Sequence, residues 1–146
     1  MTIRFLVSLL ITATLATGAA RAEPVAGAAQ ALNDFRAREG LPALTQSDTL
    51  QKVAERHAVD MAENGFFSHT GSDGSDVGQR AMEIGYAYCT IAENIAKGQP
   101  SLDEVMAGWI GSPSHRRNML LDRVTEFALA RQTDNIWVMV LGRPGC

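Results

Sequence analysis

Near the end of this chain the run Ile136-Trp137-Val138-Met139-Val140-Leu141 is apolar throughout. Side chains of a strand alternate between its two faces, so Trp137, Met139 and Leu141 share one face and Ile136, Val138 and Val140 the other. Neither face belongs in water, because burying apolar surface is worth roughly 25 cal/mol per Å². Such a strand sits in the middle of a sheet with a layer over each side. Glu126 to Arg131 reads as a neighbouring strand, joined to it by a hairpin loop at Thr133-Asp134-Asn135. Whatever else the chain folds into must therefore supply two covers for one small sheet.

The covers are legible as helices. From Ala28 to Glu39, residues Ala28, Ala31, Leu32 and Phe35 keep to one face, and Gly40 stops the helix. Ser47 caps a second helix, in which Leu50, Val53, Ala54, His57, Ala58 and Met61 keep a 3.6-residue period; Asn64-Gly65 closes it. His57 lies on that apolar face and reads as a buried, hydrogen-bonded core histidine. Phe66 to Asp76 is loop, and Asp76 caps a third helix over 77–84. Tyr86 to Ile91 reads as a short strand, followed by Ala92-Glu93-Asn94-Ile95-Ala96. Ser101 with Glu104 is a capping box for a fourth helix running into Trp109. Gly111 and Pro113 interrupt it, and the residue before a proline is pushed out of the helical region, so Ser112 starts a turn. A short helical segment follows from His115 to Leu121. Helices, a strand, a helix and a hairpin predict an α+β domain with helices packed on a small antiparallel sheet.

Met1 to Ala22 reads as a signal peptide, with Arg4, an apolar run from Phe5 to Leu15, and Ala20-Arg21-Ala22 before the cut. That run is too short for a membrane span. Residues 23–30 then read as a linker and residues 31–146 as one domain. Removing Arg4 and Arg21 leaves 11 basic side chains against 16 acidic ones, a net charge of −5, with no basic tract. Nucleic acid is therefore a poor partner, and a secreted or periplasmic monomer is the expectation. Cys89 and Cys146 read as one disulfide in an exported chain. Closing so long a loop is worth roughly 3–4 kcal/mol.

Three histidines are present, and His69 and His115 sit in loop or turn sequence beside Gly, Ser and Pro. Histidines held on loops by a rigid scaffold are more often functional than core ones. Glu93 lies between them in the chain. Two imidazoles and a carboxylate suit Zn²⁺ or another divalent ion, with a position left open for water. Glu126 can project into the same groove or be a solvated strand end. Ser68 and Ser114 precede the two histidines outside any nucleophile elbow and read as turn residues. Arg116 and Arg117 read as a surface pair, and Phe66, Phe67 and Trp109 as core.

Taken together these pieces resemble the CAP superfamily, the SCP-like extracellular proteins, in its short bacterial form. The resemblance rests on Leu32-Asn33 with Arg36 and Gly40-Leu41, on Met61-Ala62 with Gly65, on Phe67-Ser68-His69 and on Gly85-Tyr86. It continues through Ala92-Glu93-Asn94-Ile95-Ala96, then Trp109, Ser112-Pro113, His115-Arg116 and Asn118-Met119-Leu120, and ends at Thr125-Glu126. It implies an α-β-α sandwich with a central antiparallel sheet and a cleft. In larger members that cleft holds two histidines and two acids. His69, Glu93 and His115 match; Ser112 stands where the second acid would, which leaves the set incomplete, with Glu126 as a candidate substitute. For function the resemblance implies a secreted, non-enzymatic binding module for a small lipid, an apolar ligand or a cell-envelope component. The alternatives are a zinc-dependent site with hydrolase activity, or an envelope protein whose cleft residues form only a polar network.

Overall fold

The last strand, β5 (Ile136–Pro144), lies inside the sheet, as its two apolar faces require. A computed structural model describes residues 23–146; the signal-peptide reading of residues 1–22 lies outside the described residues. In chain order the remaining elements are β1 (Glu23–Pro24), α1 (Ala28–Arg38), β2 (Thr45–Gln46), α2 (Asp48–Asn64), α3 (Val77–Glu83), β3 (Tyr88–Lys97), α4 (Leu102–Gly111), α5 (Pro113–Met119) and β4 (Glu126–Gln132). The sheet runs β1-β4-β5-β3, with β2 pairing β4 in parallel; the other pairings are antiparallel.

Register decides which side chains meet which helices. Ala128, Ala130, Val138 and Val140 face Leu50, Val53, Ala54, Ala58 and Met61 of α2. On the other face Phe127, Leu129, Trp137, Met139 and Leu141 pack on Leu32 and Phe35 of α1, Val105, Met106 and Trp109 of α4, and Met119 of α5. The result is a helix–sheet–helix sandwich. Among the described residues no helix is long and apolar enough to cross a membrane.

Local chemistry sets the boundaries. Ser47 accepts from the Leu50 amide, and Gly65 ends α2 in the left-handed region at φ 67°. Asp76 and Gln79 form a reciprocal capping box on α3. Pro113 opens α5 two residues before His115, since a proline at the first helical position loses no helical hydrogen bond. Strand β3 starts at Tyr88 rather than Tyr86 and continues through Ala92–Ala96, which pair with β5 from Ala92↔Leu141 to Ala96↔Trp137. Residues 23–30, read as linker, carry β1 against β4 and the start of α1. A two-residue strand has no periodicity to read, so only pairing reveals it. Cys89 and Cys146 are disulfide-bonded and tie the chain end to β3.

Candidate functional site

Strand β3 is the end strand of the main sheet path, and two consecutive residues on it point to opposite layers. Glu93 faces the α2–α3 side and Asn94 the α4–α5 side. Each of them fixes one of the loop histidines.

On the first side the Glu93 carboxylate is buried, its side chain 2 % exposed. Its Oε1 lies 2.8 Å from His69 Nδ1, and its Oε2 accepts from Arg80 Nη2 at 2.7 Å. A carboxylate only accepts, so Nδ1 of His69 carries the proton, and the rest of this 58 % exposed side chain faces solvent. Arg80, itself buried, also donates to the backbone oxygens of Ser75 (2.7 Å) and His69 (3.1 Å). The loop bearing His69 is pinned again by α2. His57 Nε2 donates to the Ser68 carbonyl at 2.8 Å, and the Asp60 carboxylate accepts from the Ser72 amide and hydroxyl. Burial pushes the His57 imidazole below its ordinary range, partly offset by Glu93. His57 is thus the buried, hydrogen-bonded histidine expected, and it also lies 3.9 Å from Glu93 Oε1.

On the second side Asn94 Nδ2 donates to the His115 carbonyl at 3.0 Å. Asn118 Nδ2 donates to Asn94 Oδ1 (2.9 Å) and to the Glu93 carbonyl (3.2 Å). These bonds seat the first turns of α5 on the strand. The His115 ring packs near Trp109, at 6.5 Å between centroids, and its Nδ1 lies 2.9 Å from Ser112 Oγ. Burial, with a smaller share from the charge of His69, holds the His115 imidazole below its ordinary range.

Beside His115 opens a cavity of about 320 Å³ lined by Phe67, Ile95, Lys97, Val105, Trp109 and Ser112, among others. Phe67 is not core, as the sequence had suggested: it is 47 % exposed at the rim of this cavity, because the Gly65 turn carries the loop out past the end of α2. Trp109 is core, with Nε1 donating to the Ile95 carbonyl at 3.3 Å.

Glu126 does not join the histidines. It lies two strands away from β3, and its carboxylate accepts from the Tyr86 hydroxyl at 2.8 Å; burial, with that bond, pushes the phenol above its ordinary range. The donor set also fits a divalent ion poorly. Both Glu93 oxygens are engaged, one by a guanidinium whose charge opposes a cation. Among the described residues no group of three or more His, Cys, Asp and Glu side chains is placed to hold one ion.

Arg80, Asn94 and Ser112 were not singled out for these roles from the sequence. Arg80 carried a signal: it shares the apolar stripe of α3 with Val77, Ala81 and Ile84, an odd place for an arginine without a buried partner.

A three-layer α-β-α domain with two histidine-bearing segments anchored on the end strand of its sheet defines a structural class, that of SCP-like proteins. Residues 29–141 match the Cysteine-rich secretory protein family, CAP, and the chain belongs to it. YkwD of Bacillus subtilis is 32 % identical over 106 residues, covering 72 % of this chain and 41 % of its own length. The chain thus spans about two fifths of that relative. A protein of Borreliella burgdorferi is 31 % identical over 111 residues, 74 % of this chain and 70 % of its own. Among solved structures, an outer surface protein of Borrelia burgdorferi superposes with a TM-score of 0.74 at 25 % identity, covering 85 % of this chain and 99 % of that one. An extracellular SCP-domain protein of Bacillus anthracis gives 0.74 at 27 % identity, covering 80 % and 40 %.

Proposed function

We propose that this chain is a secreted CAP-family binding module whose cleft holds a small apolar ligand or an apolar part of a cell-envelope component. The observation that carries the reading is the cavity between the Phe67 loop and α4–α5: apolar walls, a half-exposed aromatic at its mouth, and a few polar groups at one side. That mixture is typical of small-ligand sites. Glu93 supports the same reading, because both of its oxygens are engaged in holding the loop rather than presented to a ligand. The leader-like residues 1–22 and the extracellular and outer-surface relatives support export.

The test is an NMR titration with indole, an aromatic of a size the cavity accepts. Indole is expected to shift the signals of Phe67, Trp109 and His115. Phe67→Ala is expected to weaken binding about 5-fold, since half-burying a phenyl ring against the ligand is worth about 1 kcal/mol. Shifts confined to another face of the protein, or none at all, would remove the reading.

A further inference from the structure

Ser112 is the N-cap residue of α5, and it does not cap. Ser47 and Ser101 hold the same position on α2 and α4 and accept from the Leu50 and Glu104 amides. Ser112 accepts no such bond; its hydroxyl turns to Nδ1 of His115 at 2.9 Å, with the Ser114 hydroxyl 3.4 Å away. A serine cap is worth about 1 kcal/mol, so here that contribution is given up for a contact with an imidazole. The Ser112 backbone is held extended, at φ −99° and ψ 118°, between two helices whose ends it joins. Both Ser112 and His115 line the 320 Å³ cavity, beside the apolar walls of Phe67, Ile95, Val105 and Trp109. A hydroxyl and an imidazole within hydrogen-bond reach, beside an apolar cavity, is the nucleophile–base half of the arrangement that activates an alcohol for attack on a carbonyl, with the ring steadied here by packing near Trp109. The pairing is three residues apart, one helical turn, and so is not visible in the immediate neighbours of His115.

We propose that Ser112 and His115 are a nucleophile–base pair that takes acyl groups from small apolar esters. Ser112 Oγ attacks the ester carbonyl while its proton passes to Nδ1 of His115, in the tautomer that carries hydrogen on Nε2. The tetrahedral adduct collapses, the carbon–oxygen bond to the leaving group breaks, and His115 gives the proton to the departing alkoxide. The product is an alcohol and an acyl ester of Ser112. Water then attacks that ester, with its proton passing through His115 back to Ser112 and the acid released. The cavity holds the acyl chain. This goes beyond ligand binding, which is judged separately by the indole titration.

The mature protein is incubated with 4-nitrophenyl butyrate at neutral pH and read by intact mass and peptide mapping. A single butyryl adduct on Ser112 is expected, with nitrophenol released in step. Ser112→Ala abolishes the adduct, Ser101→Ala leaves it unchanged, and His115→Gln slows its formation about 100-fold, the scale of a general base. Ser112→Cys is the second variant and is expected to form the thioester at the same position. Each variant is first checked for a native NMR spectrum. No adduct at Ser112 together with no Ser112-dependent nitrophenol release, an adduct on Ser114 or on lysines with Ser112 spared, or a reaction indifferent to His115→Gln overturns the proposal.

Discussion

Replacing Arg80 by methionine tests whether the Glu93 centre is a structural latch. In the folded protein Arg80 makes three hydrogen bonds, buried ones to the Glu93 carboxylate and the Ser75 carbonyl and a part-buried one to the His69 carbonyl. Methionine keeps much of the side-chain volume and removes the charge. Glu93 is then a buried carboxylate with one hydrogen bond, from His69, and two backbone oxygens lose a donor. Breaking one side of a buried ion pair costs about 3–5 kcal/mol. Against a typical total stability of roughly 5–15 kcal/mol, that leaves the variant near the edge of folding. Glu93→Gln alone strands the guanidinium and is expected to cost a similar amount. The double variant has no unpaired charge, so its loss should fall short of the sum of the singles by about 2–3 kcal/mol. Urea unfolding followed by tryptophan fluorescence measures all four proteins. Hydrogen exchange reports whether the amides of 66–76 open before the rest. Losses that add to within about 0.5 kcal/mol, or a single-variant cost under about 1 kcal/mol, would refute the view that these two side chains act as one unit.

Acid sensitivity should trace to the two imidazoles held below the ordinary range near 6.5, the part-buried His115 and, above all, the fully buried His57. Between its folded value and about pH 6.5 the unfolded chain binds a proton that the folded chain refuses. Stability is therefore complete above that range and falls as the pH drops through it, by up to about 1.4 kcal/mol per unit. His57→Gln should flatten this slope, and an unchanged slope between pH 7 and 5 would count against the assignment. Asp60 and Asp73, both held below the carboxylate range, contribute in the same sense only at lower pH. Reducing the Cys89–Cys146 bond, or replacing both residues by serine, should cost roughly 3–4 kcal/mol in the same urea assay. A loss below about 1 kcal/mol would show that the chain end is held by strand pairing alone.

The sequence by itself determined the layers. The doubly apolar run at 136–141 dictated a central strand, and the 3.6-residue stripes with their Ser47, Asp76 and Ser101 caps dictated the helices over it, because those signals are local and periodic. It also marked His69, Glu93 and His115 through family resemblance. It gave no warning that Glu126 bonds to Tyr86 instead, or that Phe67 leaves the core, since both depend on where a turn aims the chain. Which side chain meets which was decided only in three dimensions. Strand geometry sends Glu93 and Asn94 to opposite faces, and the segments of the two histidines, far apart along the chain, are both anchored on that one strand. Arg80 and Ser112 owe their roles to the same cause: a charge or a hydroxyl acquires its function from the partner that folding places beside it.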